Sequence, residues 1–86
     1  RLMLNVLFFA RVREQLDCAS LQVPWPDAGF DLNALQEYLC NLRGAAWREV
    51  LEQDNMIRAV NQVVVTGNRA LRDGDEIAFF PPVTGG

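Results

Sequence analysis

The 86-residue sequence predicts an α+β roll: a mixed sheet of about five strands with one main helix packed across it. Two observations carry this. Apolar residues follow a strand pattern at both ends of the chain, in residues 2–9 and 76–80, and a helical period in the middle. The order of elements is strand, strand, helix, short helix, then three strands. A hairpin, a crossing helix and returning strands close most simply with the first and last strands side by side and parallel. Half of the residues are hydrophobic and no low-complexity stretch occurs, which fits one small globular domain.

In residues 2–9 (LMLNVLFF), Leu2, Leu4, Val6 and Phe8 make one uniformly apolar parity, which faces the core. Met3, Asn5, Leu7 and Phe9 make the other. Residues 10–16 (ARVREQL) suit one or two helical turns, too short to stand alone. Residues 19–23 read as a second strand, ended by Pro24 and Pro26. Asp31 is a good N-cap for the main helix, where Leu32, Leu35, Leu39 and Leu42 form an apolar stripe that stops at Arg43-Gly44. Trp47, Val50 and Leu51 give a shorter stripe. Strands then return at Ile57, Ala59 and Val60 and at Val63-Val64-Val65, around Asn61-Gln62. Turns follow at Gly67-Asn68 and Arg72-Asp73-Gly74-Asp75. Glu76-Ile77-Ala78-Phe79-Phe80 is the last strand, and Pro81-Pro82 ends it by denying further ladder hydrogen bonds. The expected division is a folded domain, residues 1–80, and a tail, residues 81–86. Trp25 and Trp47 read as packing residues, and residues 18–30 yield no firm strand limits.

The inventory of reactive groups is thin. A net charge of −3 argues against nucleic acid as a partner. No apolar run approaches the ~20 residues of a membrane span. The start of the chain lacks the order of a signal peptide, so a cytoplasmic protein is expected. Cys18 and Cys40 have no CxxC spacing and no histidine to join them, so no metal site is expected. Two reduced thiols are the plain reading. Without histidine there is no Ser-His-Asp or Cys-His arrangement, and no phosphate-loop motif is present. Asp73, Asp75 and Glu76 cluster, but a turn signal accounts for two of them. All eight basic residues are arginine. That reflects either an arginine-rich composition or an advantage in carrying no lysine amine for an activated C-terminus to acylate.

What remains is Val83-Thr84-Gly85-Gly86. Glycine has no Cβ, so an extended diglycine threads a narrow channel and lets its backbone approach a reacting group closely. A terminal carboxylate is a natural substrate for adenylation. Pro81 and Pro82 then act as a stiff stalk for a flexible tip. Phe9 and Phe80 fall on the less apolar parities of the first and last strands, close to where the tail leaves. They are candidate partner-binding anchors, with Val64 beside them, unless they merely finish the core. Arg11 and Arg13 either steer an acidic partner or are ordinary surface charges.

The stretches VLFFARVRE (residues 6–14), AVNQ (59–62) and DGDEIAFFPPVTGG (73–86) resemble the small subunit of molybdopterin synthase, a family of ubiquitin-like, β-grasp sulfur carriers. The resemblance runs the length of the chain, and its last stretch is the most specific. It implies a β-grasp fold and a cycle centred on Gly86, with Gly85 beside it. An E1-like adenylating enzyme uses ATP to make the Gly86 acyl-adenylate, and a sulfur donor protein converts it to a thiocarboxylate. The tail, with Pro81, Pro82, Val83 and Thr84, enters the large synthase subunit of a heterotetramer. Sulfur passes there to cyclic pyranopterin monophosphate, forming the dithiolene of molybdopterin. The small subunit binds no cofactor tightly, and the catalytic side chains belong to its partner. A sulfur carrier of the thiamine type and a ubiquitin-like modifier are the alternatives.

Overall fold

The computed structural model describes residues 3–25 and 29–81. Its strands are β1 (Met3–Phe8), β2 (Ser20–Pro24), β3 (Ile57–Val60), β4 (Val63–Val65) and β5 (Glu76–Phe80). Its helices are α1 (Ala10–Leu16), α2 (Leu32–Arg43) and α3 (Ala45–Leu51). The sheet order is β2-β1-β5-β3-β4. β1 and β5 lie parallel at the centre and every other pair is antiparallel, which is the mixed β-grasp sheet expected from the sequence.

The alternation of β1 sorts its residues as anticipated. Leu4, Val6 and Phe8 are buried under the helices, together with Ile77 and Phe79 of β5. Leu2 lies outside the described residues. Phe8 stacks on Phe79 at 5.7 Å and meets Trp47 of α3 edge-on at 5.4 Å, so both strands and the short helix share one aromatic centre. Trp25 packs at the core's margin against Phe30, their ring centroids 6.2 Å apart.

The Asp31 carboxylate accepts the Ala34 N–H at 2.8 Å, capping α2 as expected. That bond, followed by one from Asn68, holds its pKa below the ordinary 3.8. The apolar stripe of α2 departs from expectation at its end. Leu32, Leu35 and Leu39 are buried, but Leu42 is 54% exposed and Cys40 is buried in its place. The cause is α3, which turns back at Gly44 (φ 97) and covers the Cys40 flank. Arg48 of α3 fastens that arrangement. It donates to both carboxylate oxygens of Glu37 at 3.0 and 2.8 Å, to Glu52 at 2.8 Å and to Asn41 at 3.1 Å.

β2 runs one residue beyond its expected end. Pro24 pairs with Met3 and closes the strand. A proline is tolerated there because β2 is an edge strand whose outer N–H groups need no partner. Pro26 lies outside the described residues.

Candidate functional site

The parallel register sets Phe8 beside Phe79, so Phe9 and Phe80 follow as neighbours on the opposite face of the sheet. Their rings meet edge to face, 6.5 Å apart at 77°. The Phe9 N–H donates to the Phe79 carbonyl at 3.1 Å, extending the ladder one residue past β1. Phe9 is 46% exposed, while Phe80 and Pro81 are half-buried. The tail therefore starts from an aromatic pair that the core does not absorb.

Register carries the same face across the sheet. Leu7 opposes Ala78, Ala78 opposes Ala59, and Ala59 opposes Val64. Ile57 opposes Phe80 in the next row. The two alanines leave a low floor between the bulkier Leu7, Phe80 and Val64, the last of which is 58% exposed. Val64 thus stands two strands from Ala78, about 10 Å away at the usual strand spacing. Phe9, Val64 and Phe80 are brought to one continuous apolar face, whereas Pro81 lies beyond its edge, beside α1. Pro82, Val83, Thr84, Gly85 and Gly86 lie outside the described residues.

The sequence reading missed Leu7, Ile57, Ala59 and Ala78 as parts of this face. The signal was available, since each shares the parity of an anchor on its own strand or lies in register with one. It also missed Arg58, which points to the helical side opposite Phe79. Its guanidinium donates to Asn33 Oδ1 at 2.9 Å, Gln36 Oε1 at 3.2 Å and the Gly67 carbonyl at 2.6 Å. Those neutral acceptors come from α2 and the loop after β4, and burial lowers the pKa of Arg58.

The acidic cluster near β5 is structural. Asp73 Oδ1 accepts the Met3 N–H at 2.8 Å. Asp75 accepts the Arg72 N–H at 2.8 Å through one oxygen and the Asn61 side-chain amide at 2.9 Å through the other. Asn61 Oδ1 accepts the Glu76 N–H at 3.0 Å. These bonds tie the β3–β4 turn to the start of β5, at the end of the sheet away from the tail. Cys40 is buried and its thiol pKa is raised, chiefly by desolvation. The Cys18 thiol donates to the Ser20 carbonyl at 3.3 Å. Among the described residues no three His, Cys, Asp or Glu side chains gather as a metal site. No helix among them is long and apolar enough to cross a membrane.

The fold and the exposed apolar face define a ubiquitin-like β-grasp protein. The model of the ThiS family matches residues 6–86, and the chain belongs to that family. A molybdopterin synthase sulfur carrier subunit of Haemophilus influenzae is 43% identical, the match covering 98% of this chain and all of that protein. Its Escherichia coli counterpart is 41% identical, with 98% and 100% covered. The resemblance read from residues 6–14, 59–62 and 73–86 is thereby borne out. Among solved structures, subunits 1 and 2 of molybdopterin-converting factor from Helicobacter pylori form a complex that contains a similar chain. It is 28% identical with a TM-score of 0.66, and 98% of this chain and 99% of that one are covered. A small archaeal modifier protein, SAMP1 from Haloferax volcanii, shares the fold at a TM-score of 0.76 and 22% identity, with 98% and 99% covered.

Proposed function

We propose that this chain is the sulfur carrier subunit of a molybdopterin synthase, with the Gly86 carboxyl group as its reagent. A Gly86 carboxylate oxygen attacks the α-phosphorus of ATP on an E1-like adenylating enzyme, and pyrophosphate leaves. The terminal persulfide sulfur of a donor protein then attacks the acyl carbon and AMP departs. A thiol attacks the donor-side sulfur of the resulting acyl disulfide, forming a disulfide with the donor and releasing the Gly86 thiocarboxylate. The large synthase subunit receives the tail, sulfur passes to cyclic pyranopterin monophosphate, and Gly86 returns to the carboxylate. ATP is bound by the adenylating enzyme and the carrier holds no cofactor of its own. Two carriers flank a dimer of large subunits in this reading.

The observation that carries the reading is the apolar face of Phe9, Phe80 and Val64 at the root of a diglycine tail, in a chain 43% identical to a sulfur carrier subunit over nearly its whole length. A partly exposed aromatic pair beside small residues is what a protein partner needs to anchor on. The two-subunit complex of the Helicobacter pylori relative supports a large-subunit partner. Gly85 and Gly86 lack side chains, so they admit a close approach by nucleotide and sulfur donor alike.

The test is to incubate the chain with ATP, its adenylating enzyme and a sulfur source, then weigh the intact protein. Exchange of one oxygen for sulfur at Gly86, followed by dithiolene formation once the large subunit and the pterin are added, is expected. No mass change with an adenylating enzyme proven active overturns the reading. A thiocarboxylate that forms but never yields molybdopterin points to a carrier of another pathway.

A further inference from the structure

Two clefts flank residues 53–56 and differ in charge. One, of about 440 Å³, is lined by Arg58 together with the acidic residues Glu52 and Asp54. The other, of about 320 Å³, lies at the root of the tail, where Pro81 is one wall. Its polar lining residues are Arg11, Gln15, Gln53 and Asn55, and no acidic residue lines it among the described residues. Arg11 also makes no ion pair there, since both ion pairs among the described residues belong to Arg48.

A strained residue shapes this cleft. Ala10 opens α1 at φ 52, a left-handed conformation uncommon for a residue with a Cβ. It is held from its neighbour's side, where the Phe9 N–H donates to Phe79 at 3.1 Å and the Phe9 carbonyl accepts the Arg13 N–H at 3.3 Å. Such strain persists only where surrounding bonds impose it. The reversal separates the residues on either side of Ala10: Phe9 stays with Phe80 while Arg11 enters the cleft wall. Phe9 precedes Ala10 and Phe80 precedes Pro81, so the cleft begins where the aromatic face ends. A partner covering that pair has the cleft at the edge of its contact.

We propose that this cleft receives a carboxylate side chain from the partner that takes up the tail, Arg11 binding the charge and the neighbouring carboxamides donating to its remaining lone pairs. The partner's identity as the large synthase subunit rests on the sulfur-carrier reading above. The carboxylate contact itself rests on the charge of the cleft and its continuity with the aromatic face.

Calorimetric titration of the full-length chain with the large subunit, at low and at moderate salt, tests both. Arg11→Ala is expected to weaken binding about tenfold and to flatten its salt dependence, with Arg11→Lys recovering part of the loss. Arg69→Ala removes the same charge at the far end of the sheet and is expected to change affinity less than about twofold. Thermal melts establish that each variant is folded. If Arg11→Ala binds like the unaltered chain, or Arg69→Ala loses as much, the cleft contact is wrong while the carrier reading stands. If the unaltered chain does not bind the large subunit, both fall.

Discussion

Phe80 closes β5 half-buried against Phe9, on the face away from Phe8 and Phe79. Truncating it removes contact area from that face without opening a cavity in the core. Phe80→Ala is therefore expected to weaken large-subunit binding by about 2 kcal/mol, as central aromatic anchors do, with only a small drop in melting temperature. Titration and a thermal melt read the two effects separately, and a collapse in stability would place Phe80 in the core instead. Asp31 makes a prediction about acid. Its folded pKa lies below the ordinary 3.8, so its contribution is complete above that value and fades as pH falls through the lower folded one. Asparagine caps a helix as well as aspartate but does not titrate. In Asp31→Asn the decline of melting temperature below pH 3.8 is expected to be shallower than in the unaltered chain. Identical acid limbs would show that the cap's charge has no part in it.

The β3–β4 hairpin turns through Asn61 and Gln62, both at positive φ, 50° and 70°. That is the geometry of a two-residue hairpin whose twist matches its strands, and Asn-Gly is the pair it favours. Asn61 repays its strain by bonding Asp75 and Glu76, whereas the exposed Gln62 side chain makes no such bond. Gln62→Gly is expected to stabilise the domain by about 0.5–1 kcal/mol, and Asn61→Gly to destabilise it through the lost bonds. Denaturant midpoints decide the matter, and a lower midpoint for Gln62→Gly would sink the argument. The elements also show why some features were legible in advance. The parity of β1, the cap at Asp31 and the parallel pairing of β1 with β5 follow from local spacing and chain order. Leu42 does not, because its exposure depends on where α3 packs. Arg58 was equally hidden: its place on the buried side requires acceptors on Asn33, Gln36 and Gly67, which only folding brings near it. The anchors Phe9 and Phe80 were visible as a parity, but the alanine floor between Leu7 and Val64 needed the register of four strands.

At the scale of the molecule, the buried hydrophobic residues among those described fall between Leu4 and Phe79. Deleting Gly86 is expected to abolish sulfur transfer and leave the melting temperature within about 1 °C, since glycine has no side chain to contribute to a core. Intact-mass analysis and a melt check this, and unfolding on deletion would refute the division into a body and a tail. The central pairing of β1 with β5 has a mechanical consequence. β5 is held on both flanks, by β1 from Asn5 to Phe8 and by β3 from Ile57 to Val60. A pull on the tail runs along β5 and loads those two ladders in shear, so their hydrogen bonds must rupture together. The same pull on edge strand β4, across its single ladder, would open bonds one after another. Under the proposed carrier reading, in which a partner takes up the tail and releases it again, the chain can thus be tugged by its C-terminus without being unravelled.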